Sequence, residues 1–333
     1  MENLYLNASA FTAWRSQPHD NVLGIVRFAG DAQASALNSD IPFLHVPAKP
    51  LAGGDAVYEV WRSDTAPRYG RLDAIHYSVT DSLLWGCLAL SESAGLMQTT
   101  QSAYEQILQL LAQQGMSHFY RVWHYIPAIN QLENGTERYR LFNQGRQAAL
   151  QATGLPVQHS AAASAVGIKG DALRVCFLAG QQRPLPIENP RQVSAYHYPP
   201  QYGVSPPLFS RAGLVQTKGQ SVLFISGTAS IVGHRSLYAG EVRAQTRETL
   251  ANIGALLEAA NKQVIGACFN LADLEFKVYL RHAEDAVLVT EELHNLVGEP
   301  VQIRMLQAAI CRQELLVEIE AVARWVSAHE KTV

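Results

Sequence analysis

Charge is what this 333-residue chain has least of: Asp, Glu, Lys and Arg together make up 17%, against roughly 25% in an average globular protein. Its 26 basic and 29 acidic residues leave a formal charge of −3, and no basic run stands out. Nucleic acid and anionic membrane surfaces are therefore poor partners. No run of about 18 apolar residues occurs, which excludes a helical membrane span. Residues 1–16 lack a basic segment followed by an apolar one, so the reading is a soluble, cytoplasmic protein. The four cysteines, Cys87, Cys176, Cys268 and Cys311, are far apart, with no C-x-x-C pair and no histidine spaced for zinc. Scattered thiols of this kind fit a reducing compartment. G-x-x-x-x-G-K, G-x-G-x-x-G, H-E-x-x-H and G-x-S-x-G are all missing, which removes the usual support for nucleotide, zinc-protease and hydrolase readings. A reaction without metal or cofactor, or a binding function, is what remains, with a small ligand or a protein as the partner.

What is present is apolar content of 48% with 8% aromatics, enough for a substantial core and incompatible with disorder or coiled coil. Hydrophobic periodicity predicts strands over 72–80 and 82–90, then a helix over 99–114 with Tyr104, Ile107, Leu108 and Leu111 at helical spacing. An aromatic strand over 118–126, a helix over 137–153 and strands over 161–168 and 172–179 follow. The second half repeats the order, with strands over 214–217 and 221–225, a helix over 240–261, a strand over 274–280, a helix over 283–297, and strands over 301–309 and 315–323. The expected fold class is α+β: two ββαβαββ units in one chain, each a mixed sheet with helices on one face, its last two strands forming a closing pair. In this scheme residues 1–70 are an N-terminal extension packed on the first domain, 71–182 are that domain, 183–210 a connector and 211–333 the second domain.

Seven of the fifteen prolines fall within 184–207, in a stretch that also holds Tyr196, His197, Tyr198 and Tyr202 and leads to Arg211. It reads either as a stiff connector or as the wall of a site. The closing strand places Glu318 and Glu320 on the same face as Leu316 and Val322 by period-two alternation. A carboxyl among apolar neighbours resists ionisation and can donate a proton near neutral pH; the other reading is a solvated face, or a pair with Arg304 on the adjacent strand. Cys311 is expected to end that preceding strand, about 10 Å along the sheet from Glu318, either in contact with a ligand or as a small buried apolar residue. Tyr139 and Arg146, seven apart on one helix, share a face and offer a hydroxyl and a carboxylate clamp. The small residues 226–230 follow a strand, where backbone approaches a ligand closely or simply turns.

Phe224-Ile225-Ser226-Gly227, Gln245-Thr246, Asn252-Ile253, Lys277-Val278-Tyr279-Leu280 and Val317-Glu318-Ile319-Glu320-Ala321 resemble the RidA/YjgF family over about residues 210–325. Tyr139 to Arg146, the 196–211 stretch and Cys311 seven residues before Glu318 make nearly the whole chain similar to the chorismatases, cofactor-independent enzymes that release pyruvate from chorismate. The resemblance implies that Glu318 protonates the enolpyruvyl methylene, that Arg146 and Arg211 bind carboxylates with Tyr139 supporting the pose, and that Tyr202 and Gly227 belong to the substrate site. Cys311 stands where diol-forming members have a small residue, which implies a hydroxybenzoate product through intramolecular attack by the ring hydroxyl and an arene-oxide-like intermediate. Ala229 falls at a second selectivity position, and with Cys311 it implies 3-hydroxybenzoate together with 4-hydroxybenzoate. The alternatives are a RidA-like imine deaminase, for which the expected arginine position holds Ile310 or Cys311 with Arg312 pointing to the opposite face, and a non-catalytic small-molecule binder. A monomer or low-order homo-oligomer is expected, since two units in one chain can form internally the interface that RidA subunits share.

Overall fold

The computed structural model describes residues 1–333 apart from 32–38, 153, 155–156, 218, 265–267, 300 and 327–333. The last position of the expected 137–153 helix and the final seven of the second domain thus lie outside the described residues.

Residues 1–62 form β1 (Glu2–Asn7), α1 (Ala8–Arg15), β2 (Val22–Ala29), β3 (Phe43–Val46) and β4 (Ala56–Arg62), a four-stranded sheet in the order β1-β4-β2-β3. The Asn7 side chain caps α1 by accepting from Ala10 N, as short polar residues do at helix starts. The first repeat contains β5 (Arg68–Leu72), β6 (Ile75–Val79), β7 (Leu83–Ser91), α2 (Leu96–Gln114), β8 (His118–Pro127), a short hairpin of β9 (Leu132–Glu133) and β10 (Thr136–Glu137), α3 (Arg138–Gln151), β11 (Ala162–Ile168) and β12 (Ala172–Gly180). The second contains β13 (Leu185–Ile187), β14 (Ala212–Thr217), β15 (Gln220–Ala229), the hairpin β16 (Ile231–Val232) and β17 (Arg235–Ser236), α4 (Val242–Asn261), β18 (Glu275–Leu280), α5 (Ala286–Val297), β19 (Gln302–Gln307) and β20 (Val317–Val326).

The two six-stranded sheets run β11-β8-β12-β7-β6-β5 and β19-β18-β20-β15-β14-β13, the same order strand for strand. Two ββαβαββ units are therefore present, but their last two strands are not a closing pair. In the first unit β8 lies between β11 and β12, parallel to one and antiparallel to the other; in the second, β18 separates β19 from β20 in the same way. A parallel strand reached through a crossover helix docks on the free side of its predecessor. The chain then has to pass the end of that predecessor to pair on its other side.

Helices α2 and α3 cover one face of the first sheet, and α4 and α5 one face of the second, each over its own core of Leu, Ile, Val and Phe. The opposite faces of both sheets and one face of the N-terminal sheet meet in a single shared core containing Trp61, Trp85, Trp123, Phe28, Phe224 and Tyr279. The N-terminal segment is thus a third sheet lying against both units, rather than an extension on the first alone. It touches the first where Ser78 Oγ donates to Leu23 O at 2.5 Å, and where Trp85 lies on Gly24 so closely that a Cβ there would overlap the indole. It touches the second where Lys277 pairs with Glu59 at 2.7 Å. Residues 49–51 also line the outer edge of β19, with Gln307 N donating to Lys49 O and Leu51 N to Met305 O. Just beyond β19, Ala309 exchanges two backbone hydrogen bonds with Gly167 at the end of β11, at 2.7 and 3.0 Å.

Candidate active site

The two units meet at β11 and β15, where Ala163 N donates to Ser226 Oγ and that hydroxyl donates to Ser210 O. Residues 226–229 are not a loop after the strand, as the sequence suggested. They continue β15, and a register shift between Ile225 and Thr228 against β20 absorbs Ser226 and Gly227. A bulge of this kind re-aims the backbone while the strand goes on. Gly227 is required for a specific reason: a Cβ there would overlap Oε1 of Glu318, whose carboxyl lies against the bulge.

Two lobes of one cavity open here. The inner lobe, about 360 Å³, is lined by His124, Tyr139, Asn143, Arg146 and Ser164, and the outer lobe, about 630 Å³, by Tyr202, Arg211, Ala229 and Arg312 among others. Tyr139, Phe209, Gly227, Cys311 and Glu318 line both. All eight residues singled out from the sequence, Tyr139, Arg146, Tyr202, Arg211, Gly227, Ala229, Cys311 and Glu318, are therefore brought to one place. A larger cavity of about 1060 Å³, lined by Lys49, Ile129, Arg281 and Ala308 among others, lies beside it and holds none of the eight. Among the described residues no group of three His, Cys, Asp or Glu is placed to hold a metal ion.

Glu318 is only 4% exposed, and among the described residues its carboxyl has no hydrogen-bond or ion-pair partner. Burial and the neighbouring Glu320 push it up to about 8, against a smaller pull downward from Arg121. Glu320, two residues on along the same face, is the reverse case. Lys277 approaches it at 2.9 Å, Arg121 donates at 2.7 Å, Trp123 Nε1 at 2.8 Å, and Ser164 Oγ donates as well. Burial opposes its charge, but Lys277, Arg121 and Ser164 outweigh that and hold it below the usual range. One strand face thus carries a protonated and an ionised carboxyl two residues apart, distinguished by their donors. Neither lies on a solvated face, and Arg304 pairs with neither. It sits on β19, separated from β20 by β18, and lies over the ring of Tyr5.

Cys311 does not end a strand beside Glu318. It lies in the irregular link 308–316 between β19 and β20, so the expected 10 Å cross-strand spacing has no basis. The link is pinned: Arg281 donates to the carbonyls of Ile310, Arg312 and Leu315, and Asn130 Nδ2 to those of Ile310 and Cys311. Burial, reinforced by Glu318, pushes the Cys311 thiol up to about 12, so it is a neutral S–H. Tyr139 is likewise held neutral, raised by burial and then by Cys311 and Glu318.

Arg146 is 5% exposed, with its guanidinium 5.3 Å from the centre of the Tyr104 ring. Arg211 is 4% exposed and donates to Val193 O and to Tyr198 Oη at 2.7 and 2.8 Å. Among the described residues Nε of each has no hydrogen-bond partner. The 184–207 stretch thus walls the outer lobe with Tyr198 and Tyr202. Arg312 does not point away from Cys311, as period-two alternation would have it, because the link is not a strand. It lines the outer lobe, stacks 4.1 Å over Tyr202 and donates to His234 O and Ser236 Oγ. Sequence reading also passed over Tyr104 and His124. Both sit at apolar-looking positions, and only the polar atoms of the two side chains, buried and paired with each other, mark them out.

Residues 59–179 match the family profile described as chorismatase FkbO/Hyg5-like, N-terminal. The chain is 32% identical over 316 residues to a 3-hydroxybenzoate synthase of Streptomyces hygroscopicus, covering 91% of each. It is 34% identical over 274 residues to a chorismatase of the same organism, covering 80% of this chain and 79% of that one. A crystal structure of a chorismatase superposes with a TM-score of 0.88 at 29% identity, covering 97% of this chain and 98% of the other.

Proposed function

The chain belongs to the chorismatase family, and from that premise we propose that it converts chorismate to pyruvate and 3-hydroxybenzoate in the two-lobed cavity, with some 4-hydroxybenzoate formed alongside. The observation that carries the reading is Glu318: a buried, unpartnered carboxyl between two arginine-lined lobes, pushed up to about 8 and so protonated at neutral pH.

Protonating a carbon needs a positioned acid whose proton is present at the working pH. Glu318 gives its proton to the enolpyruvyl methylene, and positive charge develops at the ether carbon. Arg146 in the inner lobe and Arg211 in the outer lobe take the two carboxylates of the substrate, and holding both ends fixes the methylene against the acid. The ring hydroxyl is the internal nucleophile: it attacks the ring carbon that bears the ether, that C–O bond breaks to release pyruvate, and the arene-oxide-like intermediate then opens and aromatises. Hydroxybenzoate and pyruvate together contain the atoms of chorismate and nothing more, so no water is consumed. The proton that Glu318 gives up is balanced by the one the ring loses on aromatising. Diol formation consumes one water instead. Cys311, a neutral thiol on the wall that both lobes share, and Ala229, whose Cα is paired with that of Glu318 across β15 and β20, occupy the space from which such a water would attack.

Incubation with chorismate, without added metal or nucleotide, is expected to release pyruvate together with hydroxybenzoate, followed by enzyme-coupled pyruvate detection and chromatography. Pyruvate release no faster than in protein-free buffer would overturn the reading. Release with a dihydrodiol as main product would keep the acid and overturn the assignment of Cys311.

A further inference from the structure

The buried pair Tyr104 and His124 has no part in the reaction as drawn, yet it leads straight to Arg146. His124, 1% exposed, is on β8; its Nδ1 lies 2.7 Å from Ser164 O and its Nε2 2.6 Å from Tyr104 Oη. A carbonyl only accepts, so Nδ1 carries the proton and Nε2 is a bare lone pair. Tyr104 must therefore donate to Nε2, which turns the lone pairs of its oxygen away from the histidine. The guanidinium of Arg146, which only donates, lies 5.3 Å from the centre of the ring that carries this free oxygen. The chain has one direction, Tyr104 to His124 and His124 to the Ser164 carbonyl, and it leaves the tyrosine oxygen as an acceptor beside Arg146. Protonating His124 would reverse the middle bond, and burial together with Arg146 keeps the ring neutral.

We infer that Tyr104 and His124 are positioning residues that hold the Arg146 guanidinium in the inner lobe, at the orientation that receives a substrate carboxylate. The inference rests on the reading of Arg146 as a carboxylate-binding residue. In this inference the guanidinium, seated over the Tyr104 ring, gives one N–H to the tyrosine oxygen, and its remaining donors keep a fixed direction. Ser164 ties this chain to the ionised carboxylate two residues from the acid, because its carbonyl receives His124 while its hydroxyl donates to Glu320.

The test is a double-mutant cycle with Tyr104→Phe, Arg146→Lys and the pair, read by calorimetric titration of 3-hydroxybenzoate and by KM and kcat on chorismate. Tyr104→Phe is expected to weaken binding and raise KM about tenfold, the size of one lost hydrogen bond to a charged group, with kcat changed less than threefold. In the Arg146→Lys background the same change is expected to cost less than twofold. Equal losses in both backgrounds, or no loss in the wild-type background, overturn the inference; so does an Arg146→Lys variant that binds and turns over normally. The second arm stays clear of Tyr104. His124→Gln keeps an acceptor for the tyrosine hydroxyl and is expected to remain within threefold of wild type, whereas His124→Leu loses about tenfold; identical behaviour overturns the chain. A wild-type protein that binds 3-hydroxybenzoate but releases no pyruvate refutes the proposed reaction alone, and one that does neither refutes both.

Discussion

The two repeats have the same sheet order and the same helix placement, yet only the second carries the buried carboxyl proposed as the acid. Two differences separate them. The inner face of β12 presents Arg174, Cys176 and Leu178, whereas the inner face of β20 presents Glu318, Glu320 and Val322. The link from the outer strand back to the central one is three residues in the first unit, 169–171, and nine in the second, 308–316. The short link leaves room for nothing beyond the crossing. The long one carries Cys311 and Arg312 into the cavity and leaves backbone carbonyls for Arg281 and Asn130 to hold. A shared scaffold thus supplies geometry twice, and chemistry follows from two strand positions and one longer connection. In the proposed reaction the first unit contributes recognition instead, through Tyr139 and Arg146 on α3.

The comparison breaks most sharply at Glu318. Glu318→Gln is expected to lower kcat by about a thousandfold or more, within the range of general-acid contributions, while binding of 3-hydroxybenzoate stays within a few-fold; near-normal turnover would remove the division of labour between the repeats. A smaller effect, of the order of a hundredfold in kcat/KM, is expected of Gly227→Ala, because the added methyl displaces the carboxyl. Its contrast is Gly86→Ala on β7, where the methyl meets the Phe177 ring and costs about 1–3 kcal/mol of stability in urea unfolding with the reaction unchanged. Cys311→Ala is expected to divert product toward the dihydrodiol with total pyruvate changed only a few-fold, read by chromatography; an unchanged ratio would place product control elsewhere.

The smallest effect concerns pH. Glu318 is raised from an ordinary 4.5 to about 8, so its proton is in place below about 8, and kcat is expected to fall as pH rises through that value. Stability follows the same sign. Below about 4.5 both folded and unfolded chains hold the proton; above it the unfolded chain ionises while the folded one does not, so native stability declines up to about 8. Glu318→Gln is therefore expected to melt a few degrees higher than wild type at pH 8 and no higher at pH 4, by calorimetry. A variant with the wild-type pH dependence would show that the carboxyl is ionised in the folded state.

Much of this was legible in the residues themselves. Alternation in 315–323 marked Glu318 and Glu320, and helical spacing put Tyr139 and Arg146 on one face, because periods of 2 and 3.6 are local properties of the chain. Sheet order was not legible: Lys169-Gly170-Asp171 looks like a hairpin turn, and whether two strands pair or flank a third depends on contacts far away in sequence. The error over Arg312 came from extending strand alternation through a segment that is not a strand. Tyr104 and His124 were hidden because a buried polar side chain that finds its partner is indistinguishable, in a sequence, from one more core residue.

Residues 49–51 and the Gly167–Ala309 bridge have a consequence for solubility. The outermost strands β11 and β19 end against each other, and β19 is further covered by the N-terminal segment. Open sheet edges are templates on which neighbouring chains add strands, and here the two edges are tied together where they meet, by the Gly167–Ala309 pair. Deleting the N-terminal sheet would therefore bare the rim of β19, and the sign to look for in such a truncation is aggregation well before any loss of the acid.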